Sequence, residues 1–595
     1  MRDTPIIKAE QADIETLFGD TGIAKLRKGG KYPKDRRTDE RYQYLDMVTS
    51  FDIETSSHQF GTEVGDWESW MYIWQWQFGE RVTVIGRTWE EFTALVTKIN
   101  NYLLSLGNVR LMCYVHNLAY EMTFLVGIWD FAPNDIFATD VRAPLYGLMG
   151  QIELRCSYRL SGYSLDTWAK ELRTDHQKLV GNLDYRIERY PWTELTEDEL
   201  AYCVHDVVAV VECVTTTLHS YGDTLYTIPY TQTGYIRRLV KAALKTWSPD
   251  AIRSMQNSLE TYDHLRQAFR GGDTHANRYW VMSILGDVHS YDRSSSYPDV
   301  MIHCKFPMTA FRDEKNRTFE NFQTLVDAGR AVLLKVAFRG VRLRSERTGN
   351  PYIPYAKCIE PGFDRPINPK LDNGRILSAD FCTMAMTDVD YEIIQKQYIW
   401  DEAAIEWMES SRYGYLPQPM ADIIIKLYKD KTELKGIKGK ELVYMHSKQL
   451  INSCYGMLCQ RLITNPITFE NGEWKIADFD RIAEYDKVVE HAFGNYAWAC
   501  WVTAWARYRL AQGIWTAEAK NKESKISAFV YADTDSVKCR GELDFSKFNE
   551  ERIRDAKASG AWAVDPKGKP HYMGVFEDEG GYDFFGHWVL NAIVQ

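Results

Sequence analysis

The chain has 595 residues, enough for roughly three to five packed units at ~100–200 residues each, which excludes a lone small binding module. Hydrophobic residues make up 45% and charged residues 26%, so there is material for several cores and wholesale disorder is excluded. The net charge of −11 argues against an even basic coat, while leaving room for a local basic groove.

The eleven cysteines contain no CxxC pair; the closest two are Cys454 and Cys459, so a disulfide framework and structural zinc are not expected. No run of about 18 apolar residues occurs, and the N-terminus (MRDTPIIKAEQADIE) carries charges where a signal peptide needs an apolar stretch. These features predict a reduced, soluble, cytoplasmic enzyme with no membrane partner.

Residues 1–46 form a polar N-terminal extension with seven basic residues from Lys25 to Arg37 around Gly29-Gly30. It reads as a solvated tail, with a DNA-contacting arm as the alternative. From Met47 an apolar, periodic region runs to about Thr217, and a Tyr-rich connector closes a first domain at 47–225. The remainder, 226–595, alternates β-rich runs (VHSYD, AVLLKVAF, ISAFVYA) with helical patterns (DVDYEIIQKQY, VYMHSKQLINS, WVTAWARYRLAQGIW). That alternation predicts α+β lobes around a sheet.

In MVTSFDIETSS, Asp52 and Glu54 are two apart on a predicted strand and project from one face. They could share a divalent cation, or simply mark a solvated strand end. The apolar stretch LMCYVHNLAYEMTFLVGI is interrupted by His116, Asn117 and Glu121. A carboxylate buried there needs a cation or a donor, unless Glu121 faces solvent. In TEDELAYCVHDVVAVVECV, Thr196 and Glu199 form a capping box that starts a helix. Tyr202 and Asp206 follow at i and i+4 on one face, with Val204, Val207, Val208, Val210 and Val211 burying most of the helix. Four acids from three apolar segments could build a two-metal centre that prepares water and steadies the leaving oxygen of a phosphodiester, Tyr202 orienting the water.

A second set of acids lies further on. ISAFVYADTDSVKCR reads as strand, tight polar turn and strand, with Asp533 and Asp535 at the turn. Adjacent acids repel unless a cation lies between them, although an Asx-rich turn has the same pattern. VHSYDRSSSYP gives a strand ending at Asp292, then small residues and Tyr297-Pro298, so a third acid could complete a second metal site. Between these segments, residues 426–448 hold seven lysines against three acids, a local positive surface or merely a solvated helix face. On the helix predicted to end at Gly456, Lys448, Asn452 and Tyr455 share a face and offer a cation for phosphates, an amide and an aromatic plane for a base.

The order DIE, HNLAYE, YCVHD, YDRSSSYP, KQLINSCYG and YADTDS resembles the exonuclease and polymerase motifs of family B DNA polymerases. FRGG at 269–272, MTDVDYEIIQ at 386–395 and TAWARY at 503–508 resemble the protein-primed branch of tailed phages and linear plasmids, the likeness covering about residues 47–592. The resemblance implies an RNase H-like 3′–5′ exonuclease domain followed by a palm and fingers polymerase domain with right-hand architecture, mixed α+β and α/β. It implies that Asp52, Glu54 and Asp206 hold two exonuclease metals, that Tyr202 positions water, and that Asn117 and Tyr120 touch the frayed strand. In the polymerase half, Asp292 and Asp535 would bridge two Mg²⁺ (or Mn²⁺) ions with the backbone carbonyl of Arg293, assisted by Asp533. Lys448 would pair with the triphosphate, Tyr455 would pack under its sugar and base with Asn452 on the same face, and Tyr297 would reject ribonucleotides. Arg270, Gly271 and Gly272 would contact DNA, the glycines letting backbone approach the template.

Three departures from the family pattern stand out. Glu121 replaces the Asp of many relatives and is still expected to bind metal. Val180 precedes Gly181 where relatives place a lysine, making Lys178 the nearest substitute. The chain ends GYDFFGHWVLNAIVQ where relatives continue into a Lys-x-Tyr motif and a thumb, so a fragment, a split gene or a second polypeptide supplying the thumb is expected. Two family insertions, associated with processivity, strand displacement and the priming protein, would fall near 310–385 and 457–494, the second with a hairpin signal at Asn471-Gly472. The leading expectation is a DNA-directed DNA polymerase with proofreading exonuclease. It would act on DNA primer-template and deoxynucleoside triphosphates with a terminal priming protein, in the host cytoplasm if of phage origin. The alternatives are a truncated subunit that binds DNA and retains mainly exonuclease activity until a C-terminal piece is supplied, and a nuclease alone.

Overall fold

The structure is a computed structural model that describes all residues except 1–3, 36, 63–64, 133–134, 139–142, 180–183, 185, 246, 360–364, 464–466, 471–472, 477, 493, 521–524, 583–587 and 590–595. The chain divides into two compact units, Met1–Tyr235 with Ile463–Asp480, and Ile236–Leu462 with Arg481–Gln595. The break therefore falls ten residues beyond the expected 225, and a short later segment returns to the first unit. That segment is a hairpin, Ile467–Glu470 against Glu473–Ile476, whose register leaves two residues for the turn. The turn itself, Asn471-Gly472, lies outside the described residues, as do Val180 and Gly181.

Among the described residues, the first unit is built on an eight-stranded sheet in the order Ile6–Lys8, Val82–Gly86, Trp67–Phe78, Gln43–Gln59, Val109–Val115, Ile152–Cys156, Pro144–Met149, Ile136–Ala138. The long strand Gln43–Gln59 pairs antiparallel with Trp67–Phe78 and parallel with Val109–Val115. The helix Trp89–Ser105 covers one face with Phe92, Leu95, Val96, Ile99 and Leu103, all buried against Trp74, Trp76 and Phe78. The helix Glu197–Tyr221 begins with the predicted capping box, Thr196 Oγ1 accepting from the Glu199 backbone while the Glu199 carboxylate accepts from Thr196 N. Its length and composition would suffice to cross a bilayer, but 72% of its most apolar window is buried inside the protein, as befits a core helix.

The first 46 residues are not a detached tail, contrary to expectation. Ile6–Lys8 adds a parallel edge strand beside Val82–Gly86, and Ala12, Leu17 and Phe18 are fully buried. Phe18 stacks on Tyr102 at 5.2 Å, and Arg37 bridges Asp35 and Asp135. The apolar anchors are too sparse to give a periodic signal, yet Leu17 and Phe18 each remove a large side chain from water, about 1.5–3 kcal/mol apiece.

The second unit holds two larger sheets among its described residues. One is antiparallel, in the order Trp588–Val589, Phe576–Tyr582, Val288–Arg293, Ser536–Arg540, Phe529–Asp533, Thr274–Ala276. The helix Tyr496–Lys520 packs on it through Leu510, Ile514 and Ala517, and comes close because Gly513 has no side chain: a Cβ there would lie 2.7 Å from the Phe576 ring. The other sheet spans Phe306–Gly414, with Arg330–Leu343 at its centre pairing with both Arg375–Thr387 and Glu402–Gly414. The expected insertion at 310–385 falls within this sheet, which continues to Gly414.

Candidate active sites

The strand Gln43–Gln59 carries Asp52 and Glu54, and the helix Glu197–Tyr221 brings Asp206 to them; ligand oxygens of all three lie within 4.8 Å of one another. Among the described residues no other group of three or more His, Cys, Asp or Glu side chains comes so close. Glu54 and Asp206 are each 7% exposed, so the carboxylates crowd together where water screens them little. Burial and the neighbouring Asp206 push Asp52 up to about 7. Burial, Asp52 and Asp206 raise Glu54 well above the usual carboxylate range. Burial also raises Asp206, against the pull of Lys178, whose Nζ donates to Asp206 Oδ2 at 2.8 Å.

Glu121 sits beside this trio, on the helix Leu118–Leu125, and is 3% exposed. It shares a hydrogen bond with Asp52, and burial followed by the Asp52 charge raises its pKa. The other Glu121 oxygen, Oε2, and Asp206 Oδ1 are buried without a hydrogen-bond partner. Orphaned oxygens of this kind are costly unless a cation or a donor meets them. Tyr202 is buried with its ring 5.5 Å from the Lys178 ammonium, whereas Asn117 and Tyr120 are exposed at the start of the Glu121 helix. Asn117 adopts a left-handed backbone (φ 73°), and the Tyr120 hydroxyl meets Thr55.

Sequence reasoning missed Gln75, which is fully buried and donates from Nε2 to Asp52 Oδ2 at 2.8 Å. The signal was present in WMYIWQWQF: Gln75 and Gln77 alternate with Trp74, Trp76 and Phe78 where the strand, from Met71 on, is buried on both faces.

The second acid set gathers on the antiparallel sheet of the second unit. Asp292 is the penultimate residue of the strand Val288–Arg293 and pairs with Ser536, next to Asp535, while Arg293 N donates to Asp535 O. The turn between Phe529–Asp533 and Ser536–Arg540 places Thr534 at φ 56° and leaves Asp533 exposed, its carboxylate accepting from Thr274 and Thr534 hydroxyls. Asp292 is pushed up to about 7 by burial, then by Asp535, Glu579 and Glu577. Burial raises Asp535 as well. These acids are more spread than the first trio. Glu577 and Glu579 were not anticipated; Glu577 lies directly across the sheet from Asp292 on Phe576–Tyr582. In sequence they belong to FEDEGGY, which reads as a solvated acidic run.

Tyr297 and Tyr455 stack at 4.6 Å with planes 15° apart, so two motifs 158 residues apart in sequence meet. The helix Glu441–Ser453 carries Lys448, half-buried, and Asn452, exposed; it ends before Tyr455, which follows in a turn. Lys431, another member of the lysine run, reaches Ser295 Oγ at 3.4 Å, and burial with the nearby Lys448 and Lys435 lowers its pKa.

One expected contact needs correction, and two other expected residues gain detail. The Arg270 side chain, expected to contact DNA, is 7% exposed and lies over the Tyr352 ring at 4.3 Å beside Asp273, so it packs inside the unit. The Arg293 side chain is fully buried on Asp299 and Ser296, on the strand face opposite Asp292, so only its carbonyl, the group expected as a ligand, is open to that role. Gly272 lacks a Cβ for an internal reason: one would sit 2.8 Å from Thr534 Oγ1 and 3.2 Å from Thr534 Cα, between the two acids, while at Gly271 nothing lies within 4 Å.

The FRGG loop is held by Arg507, whose guanidinium donates to Arg270 O at 2.9 Å, Gly271 O at 2.8 Å and Asp390 Oδ1 at 2.7 Å. Burial works against the charge on Asp390, but Arg507 and Arg270 hold its carboxyl below the usual range. This joins FRGG, MTDVDYEIIQ and TAWARY in one buried network.

The family profile described as DNA polymerase type B, organellar and viral, matches residues 153–501. The chain belongs to this family. It is 23% identical over 542 residues to the DNA polymerase of Bacillus phage Nf, covering 86% of this chain and 83% of that one. It is 22% identical over 541 residues to the DNA polymerase of Bacillus phage phi29, with the same coverage. Its fold is similar to that of Phi29 DNA polymerase complexed with single-stranded DNA, at a TM-score of 0.63 and 17% identity over 90% of this chain and 85% of the other. The same polymerase with primer-template DNA and incoming nucleotides gives a TM-score of 0.59. The multidomain, mixed α/β architecture of this type B polymerase accords with the expectation from its motifs.

Proposed function

We propose that this type B polymerase copies DNA from a protein primer, with its second unit as palm and fingers and its first as a 3′–5′ proofreading exonuclease. The observation that carries the reading is the pairing of Asp292 with Ser536, which puts two acids from distant motifs side by side on one sheet, in a unit where Tyr297, at the start of the helix that follows Asp292, stacks on Tyr455. Its membership of an organellar and viral family, and its likeness to phage polymerases, support a role in viral or plasmid replication with a terminal priming protein.

In the second unit, Lys448 and Lys431 meet the charge of an incoming triphosphate, and the stacked Tyr297 and Tyr455 form an aromatic floor for its sugar and base. Asp292 and Asp535, with the Arg293 carbonyl, would hold divalent cations such as Mg²⁺ beside the primer terminus. In the first unit, Asp52, Glu54 and Asp206 would hold the cations for hydrolysis, which fits the close-set oxygens and the orphaned atoms of Asp206 and Glu121. When bound, two such ions lower the pKa of the attacking hydroxyl or water and stabilise charge on the leaving oxygen. Gln75 orients Asp52, Lys178 offsets the charge of Asp206, and Tyr202 is placed to align water.

The experiment is a pair of variants on labelled primer-template with Mg²⁺. Asp535→Ala is expected to abolish extension and keep trimming, and Asp206→Ala to abolish trimming and keep extension. Simultaneous loss of both activities in either folded variant would contradict two separate sites.

A further inference from the structure

The first unit carries an aromatic ladder that ends in solvent. Trp70 stacks on Tyr190 at 5.0 Å with planes 11° apart, and Tyr190 stacks on Trp192 at 5.1 Å and 7°. The last ring, Trp192, is 80% exposed. An indole left this open contributes little to folding, and near-parallel rings at this spacing leave one free π-face to continue the series.

The ladder is also rigid. Trp192 occupies the third position of the turn Tyr190-Pro191-Trp192-Thr193, closed by Thr193 N donating to Tyr190 O at 2.9 Å, with Pro191 fixing the backbone before it. Tyr190 N donates to Thr193 Oγ1, and Arg87 donates to the carbonyls of both Tyr190 and Thr193. At the other end the Trp70 indole donates to Arg189 O at 2.7 Å. Trp70 pairs across the sheet with Ser56, two residues along the strand from Glu54, or roughly 7 Å at about 3.3 Å per residue. The ladder therefore starts, at Trp70, about two residues along the strand from the first acid trio, and its third ring, Trp192, stands in solvent.

We propose that Trp192 is a stacking platform for one unpaired nucleobase of a DNA strand whose 3′ terminus reaches Asp52, Glu54 and Asp206, a few nucleotides from that terminus. A base fits this surface because every base offers a flat π-face, because the receiving ring is already held nearly parallel to Tyr190 beneath it, and because the ladder begins two residues along the strand from Glu54 of the trio proposed to cleave DNA. The inference rests on the exonuclease reading for the identity of the strand, but the platform itself is tested without cleavage.

The test is an abasic scan on the full chain in EDTA. A labelled single-stranded oligonucleotide, with one abasic nucleotide at each of the positions two to eight from the 3′ end, is titrated by fluorescence anisotropy against the parent, Trp192→Ala and Trp192→Phe. The parent is expected to lose at least about fivefold in affinity at one position. Trp192→Ala should bind intact DNA at least about fivefold more weakly and be insensitive to the abasic nucleotide at that position, while Trp192→Phe restores most of both effects. Equal binding of parent and Trp192→Ala overturns the proposal and leaves the exposed indole to a protein partner. An abasic profile unchanged by Trp192→Ala also overturns it, since a merely structural role would weaken binding without choosing a position. If the abasic effect is found but the parent trims nothing in Mg²⁺, the platform stands and the exonuclease reading fails.

Discussion

Replacing Asp52 by Asn is expected to make the metal-free protein more stable above neutrality. Asp52 has its carboxyl raised from 3.8 to about 7 by burial and by Asp206. In the folded protein it therefore keeps a proton that the unfolded chain gives up between about pH 4 and 7, and stability falls as pH rises through that window. A rise of roughly 3 pH units corresponds to about 4 kcal/mol, which we halve to about 2 kcal/mol because Asp52 keeps partial contact with solvent. The Asn side chain still accepts from Gln75 but carries no charge. Scanning calorimetry of the full chain in EDTA should show the variant melting about 2 °C higher than the parent at pH 8, with the gap shrinking as the pH is lowered toward 5. Adding Mg²⁺ or Mn²⁺ at pH 8 should raise the parent's transition and leave the variant's nearly unmoved, because the cation then neutralises the charge the trio bears. Equal or lower melting of Asp52→Asn at pH 8 would refute the argument that burial and the crowding of like charges disfavour the ionised Asp52.

Two further outcomes follow from the second unit. Asp390→Ala removes the partner of the fully buried Arg507 and the acid of the Thr387 capping box, so urea unfolding should show a loss of about 3–5 kcal/mol, larger than Asp390→Asn gives. Gly272→Ala forces a Cβ against Thr534 between Asp533 and Asp535, and primer extension should fall by at least about tenfold while trimming is retained; unchanged extension would show that the turn yields freely.

How much of this was legible in the sequence depended on whether a residue's neighbours lie near it in the chain. Asp52 and Glu54 share a strand and Tyr202 and Asp206 a helix turn, so spacing alone grouped them, and the Thr196–Glu199 cap was fixed by four consecutive residues. Glu577 was invisible because only the antiparallel pairing of Phe576–Tyr582 with Val288–Arg293 puts it opposite Asp292. Arg270 was misread for a related reason: an arginine before two glycines suggests an exposed loop, and its burial follows from Tyr352 and Asp273, the first of which is supplied 82 residues later. The N-terminal segment hid its role because an edge strand of three residues needs only a few anchors, and Leu17 and Phe18 sit among charges that dominate composition. The motif order carried the family across these gaps, since it records contacts that no local pattern contains.

The central claim is that the Asp292–Asp535 sheet performs templated synthesis. The most direct measurement uses the Asp206→Asn variant, expected not to trim, mixed with a labelled primer-template, Mg²⁺ and all four deoxynucleoside triphosphates. The account predicts extension of the primer to the end of the template; a primer that remains bound, intact and unextended would contradict it.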